Sequence, residues 1–181
     1  MKAVVMMVCA AVLGCDSGGG DEGPDTDPLV NEGEPFPSVT VQDCAGGEVV
    51  LRDWIAQHDV SFVTFGAQWC VPCAEEATVI NRELVEGLAS YGDRVGVVQI
   101  LIEQQPDEAP SAGLCQSWTD FVDAQFDVMS DVRRENLAPF FGTAVSTLPL
   151  HLVVTKDGVV RYKKLGALPV DVKDVVEGWL P

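Results

Sequence analysis

Two cysteines spaced as C-x-x-C, between an apolar strand and an amphipathic helix, constrain the fold of this chain more than any other feature. The run Val60–Ala67 combines apolar and β-branched residues and predicts a buried strand. A helix is predicted from Ala74 onward, because apolar residues there recur at helical spacing. These residues are Ala77, Ile80, Leu84, Val85 and Leu88. Cys70 and Cys73 therefore lie at the start of that helix.

The start of a helix favours an anion, because its first backbone N–H groups are unpaired and the helix dipole is positive there. A thiol in this setting can have its pKa lowered from about 8.5 to roughly 3.5–7.5. Each unit of that change represents about 1.4 kcal/mol of preference for the thiolate. We therefore interpret Cys70 as the attacking sulfur of a disulfide-exchanging pair and Cys73 as the resolving sulfur.

Two other roles for the C-x-x-C pair compete with this interpretation. A zinc site needs two more soft ligands, usually a second close pair of cysteines. The other cysteines are isolated, and His58 and His151 show no ligand spacing, so neither a metal nor another cofactor is predicted. A purely structural disulfide between Cys70 and Cys73 would not require the tryptophan at position 69.

The segment Trp69-Cys70-Val71-Pro72-Cys73, with its flanking strand and helix, resembles the active site of thioredoxin-fold proteins. Glu76 matches the Glu of the W-C-x-P-C-x-x-E signature in the TlpA/ResA-like branch of extracytoplasmic thiol–disulfide oxidoreductases. The resemblance covers roughly residues 34–181. Leu148-Pro149 stands where this family carries a cis-proline beside the dithiol, so the resemblance implies a cis bond and a site role for Pro149 and for Trp69.

The resemblance also raises the question of which group accepts a proton from the resolving thiol. Thioredoxins carry a buried Asp six residues before the first active-site Cys, and Thr64 occupies that position here. Glu76 lies one turn past Cys73, so a partly buried carboxylate there could accept the proton. The alternative is that Glu76 is a solvated residue on the helix surface.

The N-terminus is typical of an export signal. Met1-Lys2 precedes an apolar run that ends at Leu13, which is too short to span a bilayer permanently. The following Gly14-Cys15 completes a segment that resembles a bacterial lipoprotein box, which implies lipidation of Cys15. The alternative is an ordinary cleaved signal.

The predicted organisation is a signal peptide at residues 1–14, a flexible acidic and glycine-rich tether at 15–33 and one thioredoxin-like domain at 34–181. A lipid on Cys15 would anchor the exported domain to a membrane, facing the periplasm. The formal net charge of −17 excludes nucleic acid as a partner and disfavours attraction to anionic headgroups, so the lipid itself would hold the domain at the membrane.

Export gives the remaining cysteines a possible structural use, because oxidising compartments permit disulfides. A bond between Cys44 and Cys115 would close a loop of about 70 residues and stabilise the domain by roughly 4 kcal/mol in the chain-entropy model. Two separate buried thiols are the alternative. A direct redox role for either cysteine is less favoured than the disulfide or the two separate thiols.

The rest of the chain predicts an α/β fold with a mixed central sheet flanked by helices. An N-terminal β-hairpin turns at Gly46-Gly47 and ends at Leu51, and a second buried strand runs over residues 94–103. An insert precedes the Pro149 strand, and a helical stripe within it is interpreted as core packing. That stripe consists of Leu114, Trp118, Phe121, Val122 and Phe126. Asp157-Gly158 predicts a hairpin turn, and a final helix is predicted over residues 169–180.

Together these features predict a thiol–disulfide oxidoreductase. Its resemblance to the TlpA/ResA-like branch implies that it acts more readily as a reductant of disulfide-bearing extracytoplasmic proteins. Its implied partner is a membrane thiol-transfer protein that supplies electrons. A copper chaperone of thioredoxin fold and a peroxiredoxin-like peroxide reductase with antioxidant activity are the alternatives. The first expects a C-x-x-x-C pair and a distant His, and the second expects a Thr where Ala67 stands.

Overall fold

A seven-stranded mixed sheet with helices on both faces forms the centre of the protein. The structure is a computed structural model, and it describes residues 30–134, 138–142, 145 and 147–181. In chain order the elements are β1 (Thr40–Asp43), β2 (Glu48–Val50), α1 (Leu51–Ile55), β3 (Val60–Ala67), α2 (Val71–Ile80), β4 (Val95–Glu103), α3 (Leu114–Val122), β5 (Asp127–Ser130), α4 (Ala138–Phe141), β6 (Leu150–Thr155), β7 (Val160–Leu165) and α5 (Val172–Glu177).

The predicted signal peptide, the lipidation site Cys15 and most of the tether lie outside the described residues. The division of the chain at residues 14 and 33 therefore stays a prediction. In the part of the chain that the structure describes, no helix is long and apolar enough to cross a membrane.

The strand order in the sheet is β2-β1-β5-β4-β3-β6-β7. Strand β3 runs parallel to β4 on one side and antiparallel to β6 on the other. All eight residues of β3 are buried, which accounts for its nearly continuous apolar sequence. The predicted mixed sheet of thioredoxin type is confirmed.

The two faces of the sheet carry separate apolar layers, because successive strand residues point to opposite faces. On one face, Val63 and Phe65 of β3 pack with α1, α4 and the N-terminal segment. On the other face, Val60 and Phe62 pack with α2, the π-helical turn Asn81–Glu86 and α5. The dithiol lies on this second face.

The two predicted hairpins are present. Strands β1 and β2 pair antiparallel across a turn in which Asp43 Oδ1 accepts hydrogen bonds from the backbone N–H groups of Ala45 and Gly47. Strands β6 and β7 pair antiparallel across Asp157-Gly158, where Gly158 has φ 76°. Leu51, predicted as the end of the first hairpin, instead begins α1, because its fully buried side chain reaches the core one turn before Ile55.

The insert differs most from the prediction. Its helix α3 buries Leu114 and Trp118 as expected, but Phe121 is 74% exposed, so its assignment to the core is wrong. Strand β5 and the short helix α4 were not predicted from the sequence. Strand β5 lies between β1 and β4 and joins the N-terminal hairpin to the central sheet. The final helix, α5, is shorter than the predicted 169–180 span.

Candidate active site

The two cysteines of the C-x-x-C pair form a disulfide at the start of α2, with Cα atoms 5.3 Å apart. Cys70 is the N-cap residue of the helix, and its Sγ accepts a hydrogen bond from the backbone N–H of Cys73 at 3.2 Å. Pro72 lies in the first turn, where its missing N–H costs no helical hydrogen bond. Cys70 is 4% exposed and Cys73 is 1% exposed, so Cys70 is the more accessible sulfur. The arrangement suits a thiolate at position 70.

Strand β3 places this helix start through a close approach at Gly66. A Cβ atom at Gly66 would lie 3.2 Å from both Cβ and Sγ of Cys73 and 3.1 Å from Nε2 of Gln99. Both contacts are tighter than most real Cβ contacts, so glycine allows Cys73 to pack directly against the strand. The same geometry puts the Gln99 amide beside the resolving sulfur.

The indole of Trp69 is fixed by a buried carboxylate. Its Nε1 donates to Oε2 of Glu103 at 3.1 Å, and Nη2 of Arg134 donates to Oε1 of the same residue at 2.7 Å. Glu103 ends β4 and is only 2% exposed. Neither Glu103 nor Arg134 was expected at the site, although an acidic residue closing an apolar strand was a signal that could have been followed.

The Leu148-Pro149 peptide bond is cis, as the family resemblance implied. Pro149 is buried at the start of β6, and its carbonyl accepts from the backbone N–H of Gly166 at 2.8 Å. Leu148 packs against the apolar cluster that contains both Cys70 and Cys73. The cis-proline segment therefore borders the dithiol.

Glu76 is half-buried rather than solvated. Its side chain is 13% exposed, and Oε1 accepts a hydrogen bond from the backbone N–H of Leu168 at 2.7 Å. Oε2 lies 3.3 Å from Nε2 of His151, a fully buried residue of β6. Glu76 is one helical turn past Cys73, which makes the two side chains neighbours on α2.

A row of buried polar side chains crosses the sheet beneath α2. Thr64 on β3 is paired in register with Gln99 on β4 and with His151 on β6. Gln99 is 1% exposed, and its Oε1 accepts from Nε1 of Trp118 at 2.7 Å. The sequence analysis missed Gln99 and assigned His151 no role, because a single polar residue inside an apolar strand leaves the apolar pattern intact.

Two substitutions in this polar row are expected to change the free energy of unfolding differently. Gln99→Leu should lower the free energy of unfolding by about 1–3 kcal/mol, because it leaves the buried indole N–H of Trp118 without an acceptor. Thr64→Val removes a buried hydroxyl that has no hydrogen-bond partner among the described residues, so it should be neutral or stabilising. Urea unfolding of the two variants measures the difference, and equal losses would contradict it.

A second disulfide joins Cys44, just after β1, to Cys115 in the first turn of α3. The bond closes a loop with a sequence separation of 71 residues, and the two Cα atoms lie 5.1 Å apart. Cys115 is 2% exposed and packs in the same cluster as the dithiol. Of the two alternatives for these cysteines, the structure contains the bonded one.

An exposed apolar surface borders the dithiol and consists of Trp69, Val71 and Phe121. These side chains are 38%, 65% and 74% exposed. Phe121 contacts the Trp118 ring at a centroid distance of 5.9 Å and lines a pocket of about 310 Å³ with Gln68, Ser117 and Trp118. We call Trp69, Val71 and Phe121 the apolar rim.

Metal binding finds no support in the described part of the chain. Within residues 30–134, 138–142, 145 and 147–181, no three histidine, cysteine or acidic side chains are grouped so as to hold a metal ion.

Comparison with known proteins places the fold and the family. The chain matches the AhpC/TSA family over residues 33–163, and no curated protein matches it. The thioredoxin domain of a thiol-disulfide oxidoreductase from Bacteroides vulgatus has a TM-score of 0.64 at 14% identity, over 84% of this chain and 99% of that chain. A thiol:disulfide interchange protein from Bacteroides sp. has a TM-score of 0.64 at 14% identity, over 84% and 91%.

A third solved structure is a secreted Mycobacterium tuberculosis disulfide oxidoreductase homologous to E. coli DsbE. It has a TM-score of 0.52 at 17% identity, over 79% of this chain and 94% of that chain. At these identities the structures establish the fold, and the family match extends over more than half of the 181 residues. The chain therefore belongs to the AhpC/TSA family and has the thioredoxin fold.

Proposed function

We propose that this protein is a thiol–disulfide oxidoreductase whose redox centre is the Cys70–Cys73 disulfide. The observation that carries the proposal is the position of this disulfide at the start of α2, where the sulfur of Cys70 already accepts a backbone hydrogen bond. A thiolate at this position gains from the same N–H and from the helix dipole. The cis Leu148-Pro149 segment lies beside it, because Leu148 packs against the cluster that contains both cysteines.

The reaction consumes one disulfide and produces another. In the reduced protein the Cys70 thiolate attacks one substrate sulfur, which forms a mixed disulfide and releases the other substrate sulfur as a thiolate. Cys73 then loses its proton to Glu76 and attacks Sγ of Cys70. The Cys70–Cys73 disulfide forms, the bond between Cys70 and the substrate breaks, and the substrate leaves with two electrons.

We propose that the reductive direction operates, with electrons returned by a membrane thiol-transfer partner. The TlpA/ResA-like signature Trp69-Cys70-Val71-Pro72-Cys73 and Glu76 supports this direction. The substrates are disulfide-bearing proteins outside the cytoplasm. The predicted export signal with lipidation of Cys15 would give the same location, and two disulfides in the domain suit an oxidising compartment.

The apolar rim is the proposed contact for protein substrates. Phe121→Ser should lower kcat/KM for the reduction of insulin disulfides about fivefold, equivalent to ~1 kcal/mol of lost apolar contact. Precipitation of the reduced insulin measures this rate. The same variant should reduce a small aromatic disulfide at the wild-type rate, because such a probe needs no surface beyond the dithiol.

Trp179→Ser is the matched control for Phe121→Ser. Trp179 is also an exposed aromatic, but it lies near the other end of β4. There Arg94, just before β4, donates a hydrogen bond to the backbone oxygen of Pro181, whereas Glu103, beside Trp69, ends the strand. A loss of insulin reduction in Trp179→Ser as large as in Phe121→Ser would contradict a local role for the rim.

Three assays on the full chain separate the candidate functions. Equilibration with glutathione or dithiothreitol gives the reduction potential, and a value near that of thioredoxin, about −270 mV, would support a reductant. A value near −120 mV, as in a strong oxidant, would reverse the proposed direction. Consumption of hydrogen peroxide faster than exchange with insulin would favour a peroxide reductase, and tight Cu(I) binding would favour a copper chaperone.

A further inference from the structure

His151 is a buried imidazole that packing alone does not explain. It is fully buried on β6, two residues after the cis-proline, and its ring stacks on Phe62 at a centroid distance of 5.6 Å. Nδ1 has no hydrogen-bond partner among the described residues. Nε2 lies 3.3 Å from Oε2 of Glu76, close enough for an ion pair, although the two groups are not aligned as a hydrogen bond.

Such a residue is costly to bury. A polar group taken from water without a hydrogen bond costs roughly 1–3 kcal/mol by protein mutational data, whereas a leucine in the same place would add apolar contact. Among the described residues, Glu76 provides the polar contact that offsets this cost. A contact between an imidazole and a carboxylate also has a chemical use, because the imidazole can orient a carboxylate that accepts a proton.

The Glu76 carboxylate is held from two sides. The backbone N–H of Leu168 binds Oε1 at 2.7 Å, and His151 faces Oε2. Cys73 lies one turn earlier on the same helix, so its side chain is a neighbour of the Glu76 carboxylate by helical spacing. Thr64, at the position where thioredoxins carry a buried acid, supplies no titrating group.

We propose that His151 is a positioning residue of the exchange reaction, which orients the Glu76 carboxylate so that it accepts the proton of Cys73. The inference rests on the proposed function. In the resolving step the S–H bond of Cys73 breaks, and its proton passes to Glu76 Oε2, next to Nε2 of His151. The new thiolate attacks Sγ of Cys70, and the substrate sulfur leaves with the electron pair of the broken bond.

The other titratable groups that face His151 are on β7. Lys164 is paired in register with His151 and is exposed to solvent, and Tyr162 packs on the same face. Burial, followed by the carboxylates of Asp171 and Glu32, raises the pKa of Tyr162 above its ordinary value. The phenol therefore stays neutral in the pH range of the exchange reaction.

A double-substitution cycle on the resolving step tests the proposal. The full chain, carrying Cys9→Ser and Cys15→Ser, is reduced at its dithiol and mixed rapidly with one equivalent of 4,4′-dithiodipyridine, so that a second thiopyridone is released only when Cys73 resolves the mixed disulfide. This neutral disulfide avoids repulsion from the net charge of −17. The first equivalent of thiopyridone reports attack by Cys70, and the second reports resolution by Cys73. Two equivalents from this parent chain support the proposed function, and no second equivalent overturns it.

The His151 inference is judged on the second phase alone. Glu76→Gln should slow this phase on the order of 10²-fold, and His151→Leu should slow it about tenfold. His151→Gln, whose amide can still donate to Glu76, should lose less than His151→Leu. In the Glu76→Gln background, His151→Leu should have no further effect, because a positioning residue has nothing left to position.

Partial rescue by His151→Gln is the readout that a purely structural role of His151 would not produce, because glutamine keeps a donor for the carboxylate whereas leucine does not. His58→Asn is the matched control, since His58 is the other histidine of the chain and bonds to the carbonyl of Trp54. Additive slowing in the double variant, or equal slowing in His151→Leu and His151→Gln, would overturn the inference while the parent chain still completes the exchange.

Discussion

Cys70→Ser is expected to abolish disulfide exchange, whereas Cys73→Ser should leave a protein that attacks substrate disulfides and then stays attached to them. The serine hydroxyl at position 70 is not ionised at neutral pH, so no nucleophile remains at the helix start. In Cys73→Ser the attack proceeds, but the intramolecular thiol is missing. External thiols at millimolar concentration should release the substrate several orders of magnitude more slowly than Cys73 does in the wild type. The reason is that the effective concentration of an oriented internal thiol is far higher.

Non-reducing electrophoresis and mass spectrometry of the two variants after incubation with oxidised insulin check this result. Cys73→Ser should accumulate a covalent adduct that dithiothreitol cleaves, and Cys70→Ser should form none. An adduct in Cys70→Ser but not in Cys73→Ser would reverse the assigned roles. The lower exposure of Cys73, 1% against 4%, is the structural reason to expect the first pattern.

Removal of the Cys44–Cys115 disulfide is expected to produce the largest loss of stability. In the chain-entropy model, a bond that closes a loop of 71 residues stabilises the folded state by about 4 kcal/mol. For a domain of this size each kcal/mol corresponds to roughly 2–4 °C, so Cys44→Ala/Cys115→Ala should melt about 10 °C lower.

Calorimetry of the double variant measures the change, and insulin reduction below its melting temperature provides the second readout. Activity should persist there, because the bond of Cys70 to Cys73 is untouched. A melting temperature within about 2 °C of the wild type would contradict the stabilising role. Loss of exchange in a protein that is still folded would instead assign the second disulfide a part in the redox chemistry.

Much of the fold follows from short-range patterns. Strand β3 has the expected position and both hairpins turn at the expected glycines, because these elements are encoded by runs and turns of a few residues. Helix α2 begins at Val71, three residues before the predicted Ala74. The position of the dithiol depends on the same local signals. Strand β5 was missed because four residues, Asp127–Ser130, pair with strands that are distant in sequence.

The polar environment of the dithiol could not be predicted in the same way. Gln99 and His151 meet Thr64 only through the register of three strands, which no local pattern specifies. The burial of Glu76 depends on the backbone of Leu168, which is 92 residues away. Phe121 was assigned to the core because its helical spacing matches that of Trp118, but none of the described elements covers that edge of α3.

The place of β5 in the sheet also sets an order for folding. Strand β1 pairs through Gln42 and Asp43 with Met129 and Ser130, so the hairpin formed by the first two strands has no partner in the sheet until the chain has been made past residue 130. Until then the edge of β1 that pairs with β5 presents unpaired backbone groups, the feature that promotes association between incomplete chains. The N-terminal hairpin is thus made first and docked late, and a truncated chain that ends before β5 should aggregate.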